Sequence, residues 1–270
     1  RHGGGSHFGG PVNTWARVTG HDHLGDGHYR LRLKAPDMAA AAKPGQFVML
    51  KVRHGKDPLL ARPFSIHGVE NEDILILYRV VGRGTSILSL SKPGKHLQIW
   101  GPLGTGFDLN VENPVLVAGG MGIAPLPFAA EALVKQGKNP AFILGMLTAN
   151  GYEALIDAIQ NRLKLSEVTI SWATEDGSMG QEGLVTDLLP EALQAQGASV
   201  LTCGPMAMLR AVAKLAAEHG APCQVSLEAP MACGIGVCLG CAVAQTGGGY
   251  LRVCQEGPVL DAARVDWNRL

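Results

Sequence analysis

Four cysteines crowd into the last part of the chain, and their spacing limits what that part can fold around. Cys233, Cys238, Cys241 and Cys254 read C-x4-C-x2-C…C, a spacing known for [2Fe–2S] ligation. Four thiolates must converge on two irons, so one loop supplies three and a distant strand or turn supplies the fourth. Gly234, Gly236 and Gly240 lie inside that loop. They remove Cβ atoms where the chain must wrap closely, and they leave backbone N–H groups free to point at sulfur. A structural zinc site is the rival, since four cysteines also satisfy tetrahedral zinc. Zinc knuckles come as two short pairs, whereas this arrangement is three plus one.

The rest of the sequence excludes several classes. At 270 residues the chain is too long for one small core and suggests two or three domains. Hydrophobic residues at 46% and charged residues at 17% argue against disorder. Basic and acidic residues balance at 23 each, so the cationic surplus of a nucleic-acid binder is missing. No apolar run is long enough to span a bilayer. With no secretory signal visible and the cysteines clustered, a reduced, cytoplasmic protein is expected. The opening stretch 1–12, rich in His, Gly and Ser, reads as a tag remnant or flexible end.

Periodicity then divides the chain into a β part, an α/β part and a small cysteine-rich part. Over 13–107, short alternating stretches (Trp15–Thr19, Tyr29–Lys34, Gln46–Val52, Ile74–Val80, His96–Trp100) suit strands of a small antiparallel barrel or sandwich. One short helix is expected after Gly84. Over 108–222, continuous apolar runs alternate with helical stretches, the pattern of βαβ units on a parallel sheet. The remainder, 223–270, is rich in glycine and cysteine and too short for a core of its own.

Three further motifs carry chemistry. Arg62-Pro63-Phe64-Ser65 opens a strand of the β part, where guanidinium and hydroxyl can grip a pyrophosphate. Leu77-Tyr78-Arg79 follows in another strand, and Gly84-Thr85 opens the short helix. In the α/β part, Gly119-Gly120-x-Gly122 turns a strand into a helix, so main chain can approach a phosphate. A packing turn is the plain alternative. Cys203-Gly204 ends another strand at the same carboxyl edge, where ligands of such sheets sit. Glu175 and Asp176 end a third strand; they can accept from ribose hydroxyls or stand as solvated loop acids.

Taken in order, RPFS, LYR…GT, GPLG, AGGMGIAPL and CGPM resemble the ferredoxin–NADP reductase superfamily. The tail, LEAPMACGIGVCLGCAV followed by VCQEGP, is similar to the electron-transfer subunits of NAD-dependent dihydroorotate dehydrogenases. The resemblance runs from Asn13 nearly to the end. It implies a flavin-binding β-barrel, a parallel-sheet NAD-binding domain and a small C-terminal [2Fe–2S] domain. It also implies a subunit that passes electrons between NAD and the FMN of a partner that oxidises dihydroorotate for pyrimidine biosynthesis, as a heterotetramer of two chains of each kind.

Carried onto this sequence, the resemblance assigns Arg62, Pro63, Phe64, Ser65, Leu77, Tyr78, Arg79, Gly84 and Thr85 to FAD. It assigns Gly119, Gly120, Gly122, Cys203 and Gly204 to the nucleotide domain, and the four cysteines to the cluster. Glu175 and Asp176 are the candidates for the NAD ribose, with no basic residue beside them to favour a 2′-phosphate. No catalytic acid, base or nucleophile is expected, and His67, Trp172, His219 and Cys223 carry no assigned role. A related subunit of a hydrogenase or of a bifurcating ferredoxin–NADP oxidoreductase shares this architecture, and a zinc-stabilised nucleotide-binding module is the non-enzyme alternative.

Overall fold

The structure, a computed structural model, describes residues 12–53, 55 and 57–270. The tag-like stretch therefore lies outside the described residues, apart from Val12, which begins the first strand.

The β part forms one antiparallel sheet from β1 (Val12–His23), β2 (His28–Lys34), β3 (Phe47–Lys51), β4 (Arg62–Ser65), β5 (Gly68–Glu70), β6 (Asp73–Arg79) and β7 (His96–Leu103). Its order is β4-β3-β7-β1-β2-β6-β5, so the edge strands are β4 and β5. Those two follow each other in sequence. The link between them joins the edges: the Ile66 N–H donates to Gln46 beside β3, and the His67 N–H donates to Leu75 of β6. The sheet thus curls into a half-barrel. Alternation along β6 explains its two faces, with Ile74, Ile76 and Tyr78 in the barrel core and Leu77 in the core of the next domain. Two short helices, α1 (Pro36–Ala41) and α2 (Arg83–Ser89), pack onto this sheet.

The second sheet is built from β8 (Asn113–Gly119), β9 (Ala141–Met146), β10 (Ile170–Thr174), β11 (Gln181–Glu182), β12 (Ala198–Cys203) and β13 (Cys223–Ser226). Helices α3 (Leu126–Lys135), α4 (Glu153–Lys164), α5 (Val185–Ala192) and α6 (Met206–Glu218) connect its strands. The strands from β8 to β13 run parallel, with buried faces on both sides, which is why β8 reads as a nearly continuous apolar run and β12 buries even Ser199 and Thr202.

The tail holds β14 (Ala242–Ala244) and β15 (Tyr250–Arg252), a two-stranded ribbon, and then β16 (Val259–Asp261). β16 pairs antiparallel with β13. The expected break after Pro222 therefore does not coincide with a break in the sheet. Cys223–Ser226 and Val259–Asp261 complete the second sheet, and the cysteine loop is an insertion between them. Buried side chains of that insertion, among them Cys241, Val243, Leu251, Val253 and Cys254, share one core with Met49 and Leu103 of the half-barrel and Val200 of the second sheet. A segment too short for its own core has borrowed two others.

Candidate redox site

The order β11-β10-β9-β8-β12-β13-β16 reverses direction between β8 and β12. Connections leave β8 toward β9 on one side, and β12 continues to β13 on the other. Ligands of open α/β sheets bind at the carboxyl ends of the strands at such a reversal. Both glycine motifs end there. A Cβ on Gly122 would collide with the Cys203 carbonyl and stand 2.6 Å from the Gly204 nitrogen. A Cβ on Gly204 would lie 2.5 Å from Met208 Cε and 3.1 Å from the Gly119 nitrogen. Close backbone approach is thus what these glycines provide. Gly120, at φ +51°, faces open space. Cys203 is buried beneath the turn, and burial foremost, with the Glu228 charge adding, pushes its thiol up to about 12. It is a neutral wall of the crevice.

Glu175 and Asp176 follow β10, two strands from the reversal, and both are exposed. Asp176 accepts from Ser178 Oγ at 2.5 Å and from the Ser178 backbone N–H at 3.1 Å. Those bonds, the hydroxyl first, hold its carboxyl below the usual range. Among the described residues, none bonds the Glu175 carboxylate, which is exposed.

On the half-barrel, Arg62 lies over the first turn of α2, because Gly84 has no side chain where the guanidinium runs. Thr85 Oγ1 accepts from the backbone N–H groups of Val81 and Gly82 at 2.9 and 3.2 Å, which fixes the entrance to that helix. Phe64 meets Tyr78 edge-on with ring centroids 5.7 Å apart. Tyr78 in turn stacks on Tyr29 and places its hydroxyl 2.9 Å from His21 Nε2. Burial pushes the Tyr78 phenol upward, so it is a permanent neutral donor or acceptor. Arg79 pairs with Asp26 at 3.2 Å and lines a cavity of about 120 Å³ together with His28, Gly120 and Tyr152. Arg79 of the half-barrel and Gly120 of the glycine turn therefore face one cavity.

The cysteine loop has the features an iron–sulfur cluster needs. Gly236 N–H points at Cys254 Sγ, 3.1 Å away, and the N–H groups of Ile235 and Cys238 point at Cys233 Sγ, each 3.5 Å away. Gly234 and Gly236 have φ of +72° and +78°, a region costly for other residues. A Cβ on Gly236 would collide with the Gln255 side chain. Burial would raise the Cys233 thiol, but the N–H groups of Ile235 and Cys238 outweigh it and bring it down to about 6. A thiolate, the ligand form, is favoured there at neutral pH. Cys241 and Cys254 are buried with their sulfurs 3.1 Å apart, whereas Cys238 is exposed at the tip. Among the described residues, no three His, Cys, Asp or Glu side chains are gathered around one point as for a single metal ion. The loop also leans on the half-barrel. A Cβ on Gly234 would stand 2.5 Å from Met49 Cγ, and Met49 is the β3 partner of Pro63 in β4.

The comparisons with known proteins agree with this division. A family model described as the iron–sulfur cluster binding domain of dihydroorotate dehydrogenase B matches residues 228–266, and the oxidoreductase NAD-binding domain matches 116–214. The dihydroorotate dehydrogenase B (NAD(+)) electron transfer subunit of Desulforamulus reducens is 39% identical over 88% of this chain and 92% of its own. That of Clostridium acetobutylicum is 40% identical over 87% and 89%. The chain belongs to this family of electron-transfer subunits. Among solved structures, a chain of the NADH-dependent reduced ferredoxin–NADP oxidoreductase superposes with a TM-score of 0.83 at 28% identity, over 95% of this chain and 91% of that one. A ferredoxin NADP+ reductase from Neisseria gonorrhoeae, at 18% identity and a TM-score of 0.61 over 77% and 92%, shares the fold.

In this member of the family, several residues that sequence reading passed over support the site. His21 and Tyr29 hold Tyr78. Arg252 donates to the Gly236 carbonyl at 3.2 Å and pairs with Glu256, bracing the cysteine loop. The i,i+4 spacing of Arg252 and Glu256 just around Cys254 was the available signal. For His21 and Tyr29 the only signal was their alternate placement along neighbouring strands, which does not reveal register.

Proposed function

We propose that this chain carries electrons from the FMN of a dihydroorotate-oxidising partner, through a [2Fe–2S] cluster and FAD, to NAD+. The observation that carries the reading is the position of β4. At Pro63 this strand pairs with Met49, on which the cysteine loop rests, and just past Ser65 it reaches Ala124 at the end of the nucleotide turn. β4 and the link that follows it thus lie against both the electron inlet and the outlet.

Cys233, Cys238, Cys241 and Cys254 would hold the cluster. Arg62 and Ser65, with the helix entrance that Thr85 fixes, would hold FAD, and Phe64 and Tyr78 pack behind them in the half-barrel core. The crevice at Gly119–Gly122 and Cys203–Gly204 would take the nucleotide. When bound, FAD supplies the exchange between single electrons and a hydride, and the protein's part is to fix distances and surroundings. The buried Cys203 thiol excludes water from the crevice without competing as a nucleophile.

Around the exposed Cys238, Ile235, Val237 and Leu239 stand 50%, 75% and 62% exposed. An apolar rim at the point where the cluster nears the surface suits the partner's docking face. The assembly is read as two chains of each kind, in the cytoplasm, where ligand thiols stay reduced. Among the described residues, no helix is long and apolar enough to cross a membrane. A second reading, a subunit of a bifurcating oxidoreductase, is favoured by the superposition with the reduced ferredoxin–NADP oxidoreductase chain.

Copurification and reconstitution separate the two. The isolated chain is expected to oxidise NADH with dye acceptors and to show no dihydroorotate turnover. Adding an FMN-containing dihydroorotate dehydrogenase subunit should restore dihydroorotate-dependent NAD+ reduction. Dihydroorotate turnover by the single chain, or failure of that partner to bind, would reject the reading.

A further inference from the structure

We propose that His67 is a positioning residue: its ring N–H ties the nucleotide turn of the second domain to the flavin strand of the first, and so sets the distance over which hydride passes. This rests on the reading that NAD(H) binds at that turn.

His67 lies in the link that closes the half-barrel, two positions beyond Ser65. Its side chain is 1% exposed, and Nδ1 stands 2.6 Å from the carbonyl oxygen of Ala124. A carbonyl only accepts, so Nδ1 carries the proton. Ala124 follows the 3₁₀ turn Gly120–Ile123 and donates its own N–H back to Met121. A contact at Ala124 therefore holds the glycine turn as a unit. Among the described residues, this is the only side-chain hydrogen bond between the link 66–68 and the turn 119–125.

The surroundings keep the ring in place. Gly68 has no side chain because the Arg162 guanidinium of α4 occupies that space. Arg162 is itself held by Glu131 of α3, through bonds of 2.6 and 3.0 Å. Phe128 of α3 packs against the half-barrel core. Burial foremost, with the Arg162 charge adding, brings the His67 imidazole down to about 3, so it stays a neutral donor at working pH. Burying a histidine needs a reason, and packing alone would be met by a Leu. What the imidazole adds is one directed N–H between the two sites. Hydride transfer needs reacting atoms about 3–3.5 Å apart, and a misplacement of about 1 Å can cost on the order of 100-fold.

The test uses the flavin-loaded chain and three variants. His67→Asn keeps an N–H near the Nδ1 position, His67→Gln moves it one bond outward, and His67→Ala removes it. Flavin content, flavin bleaching by saturating NADH in stopped flow, and backbone hydrogen exchange over residues 118–128 are measured. His67→Ala should retain FAD, slow bleaching by about tenfold, and speed exchange in the turn; His67→Asn should recover most of both and His67→Gln little. Bleaching at the wild-type rate in His67→Ala would overturn the proposal, and equal losses in Ala and Asn would reduce the role to volume. Should Ala not fold, the Asn and Gln pair decides. If NADH fails to bleach the wild-type protein, the nucleotide reading fails, whereas exchange restored by Asn alone would still uphold the tie.

Discussion

Replacing Gly122 by Ala tests the crevice most directly. The added methyl would meet the Cys203 carbonyl and the Gly204 nitrogen, the latter at 2.6 Å. Both are backbone atoms at the end of β12, the strand hydrogen-bonded to β8, so no side chain can swing away. The turn must lift from β12 by roughly 1.5 Å to reach ordinary contact, an overpacking that costs about 1–3 kcal/mol. For a chain of this size, each kcal/mol lowers the melting temperature by about 2–4 °C. A loss of roughly 2–12 °C is expected on those scales. Gly120→Ala is the control, since nothing lies within 4 Å of its Cβ and only φ +51° opposes it. That conformation costs about 1–2 kcal/mol, but the methyl projects into the open crevice. Both variants should keep FAD absorbance and raise the KM for NADH in dye reduction; Gly122→Ala should be the less stable. A Gly122→Ala protein with wild-type melting temperature and KM would show that the two strand ends do not form the nucleotide crevice.

Further expectations concern the cluster, the nucleotide and acid sensitivity. Cys238→Ser should lose most [2Fe–2S] absorbance while keeping FAD, because Arg62 and Thr85 lie in the other domain; unchanged iron and sulfide content would remove Cys238 from the ligand set. Steady-state dye reduction should favour NADH over NADPH, since the loop after β10 offers Glu175 and Asp176 and no cation for a 2′-phosphate; equal efficiencies would discard that loop as the ribose site. His67 stays neutral in the folded chain down to about pH 3, against an ordinary value of 6.5. The unfolded chain thus binds more protons in that window, and stability falls as pH drops from 6.5 toward 3, by at most about 1.4 kcal/mol per pH unit from this group. Denaturant melts of wild type and His67→Asn should show the shallower acid slope in Asn; identical slopes would contradict the buried neutral ring.

Much of the architecture follows from local pattern. The aliphatic and aromatic run Ile74–Tyr78 marks β6, the apolar run Pro114–Ala118 marks β8, and turn glycines mark where strands pass into helices, because each signal acts over a few residues of chain. The cysteine spacing belongs to the same class, since three of its four ligands share one loop. Other features waited for the tertiary structure. Cys223–Ser226 looks like the start of a separate tail, yet it completes the second sheet, because the partner strands β12 and β16 are chosen by packing and not by neighbouring residues. Tyr78 looks like a flavin contact, and the fold also gives its hydroxyl to His21, 57 positions away. His67 carries no local signal at all; its function comes from Ala124, likewise 57 positions distant, and from the burial that keeps its ring neutral. Sequence periodicity determines which face of an element is apolar, but register and domain contact decide which polar group is buried against which carbonyl, and only the assembled core settles those.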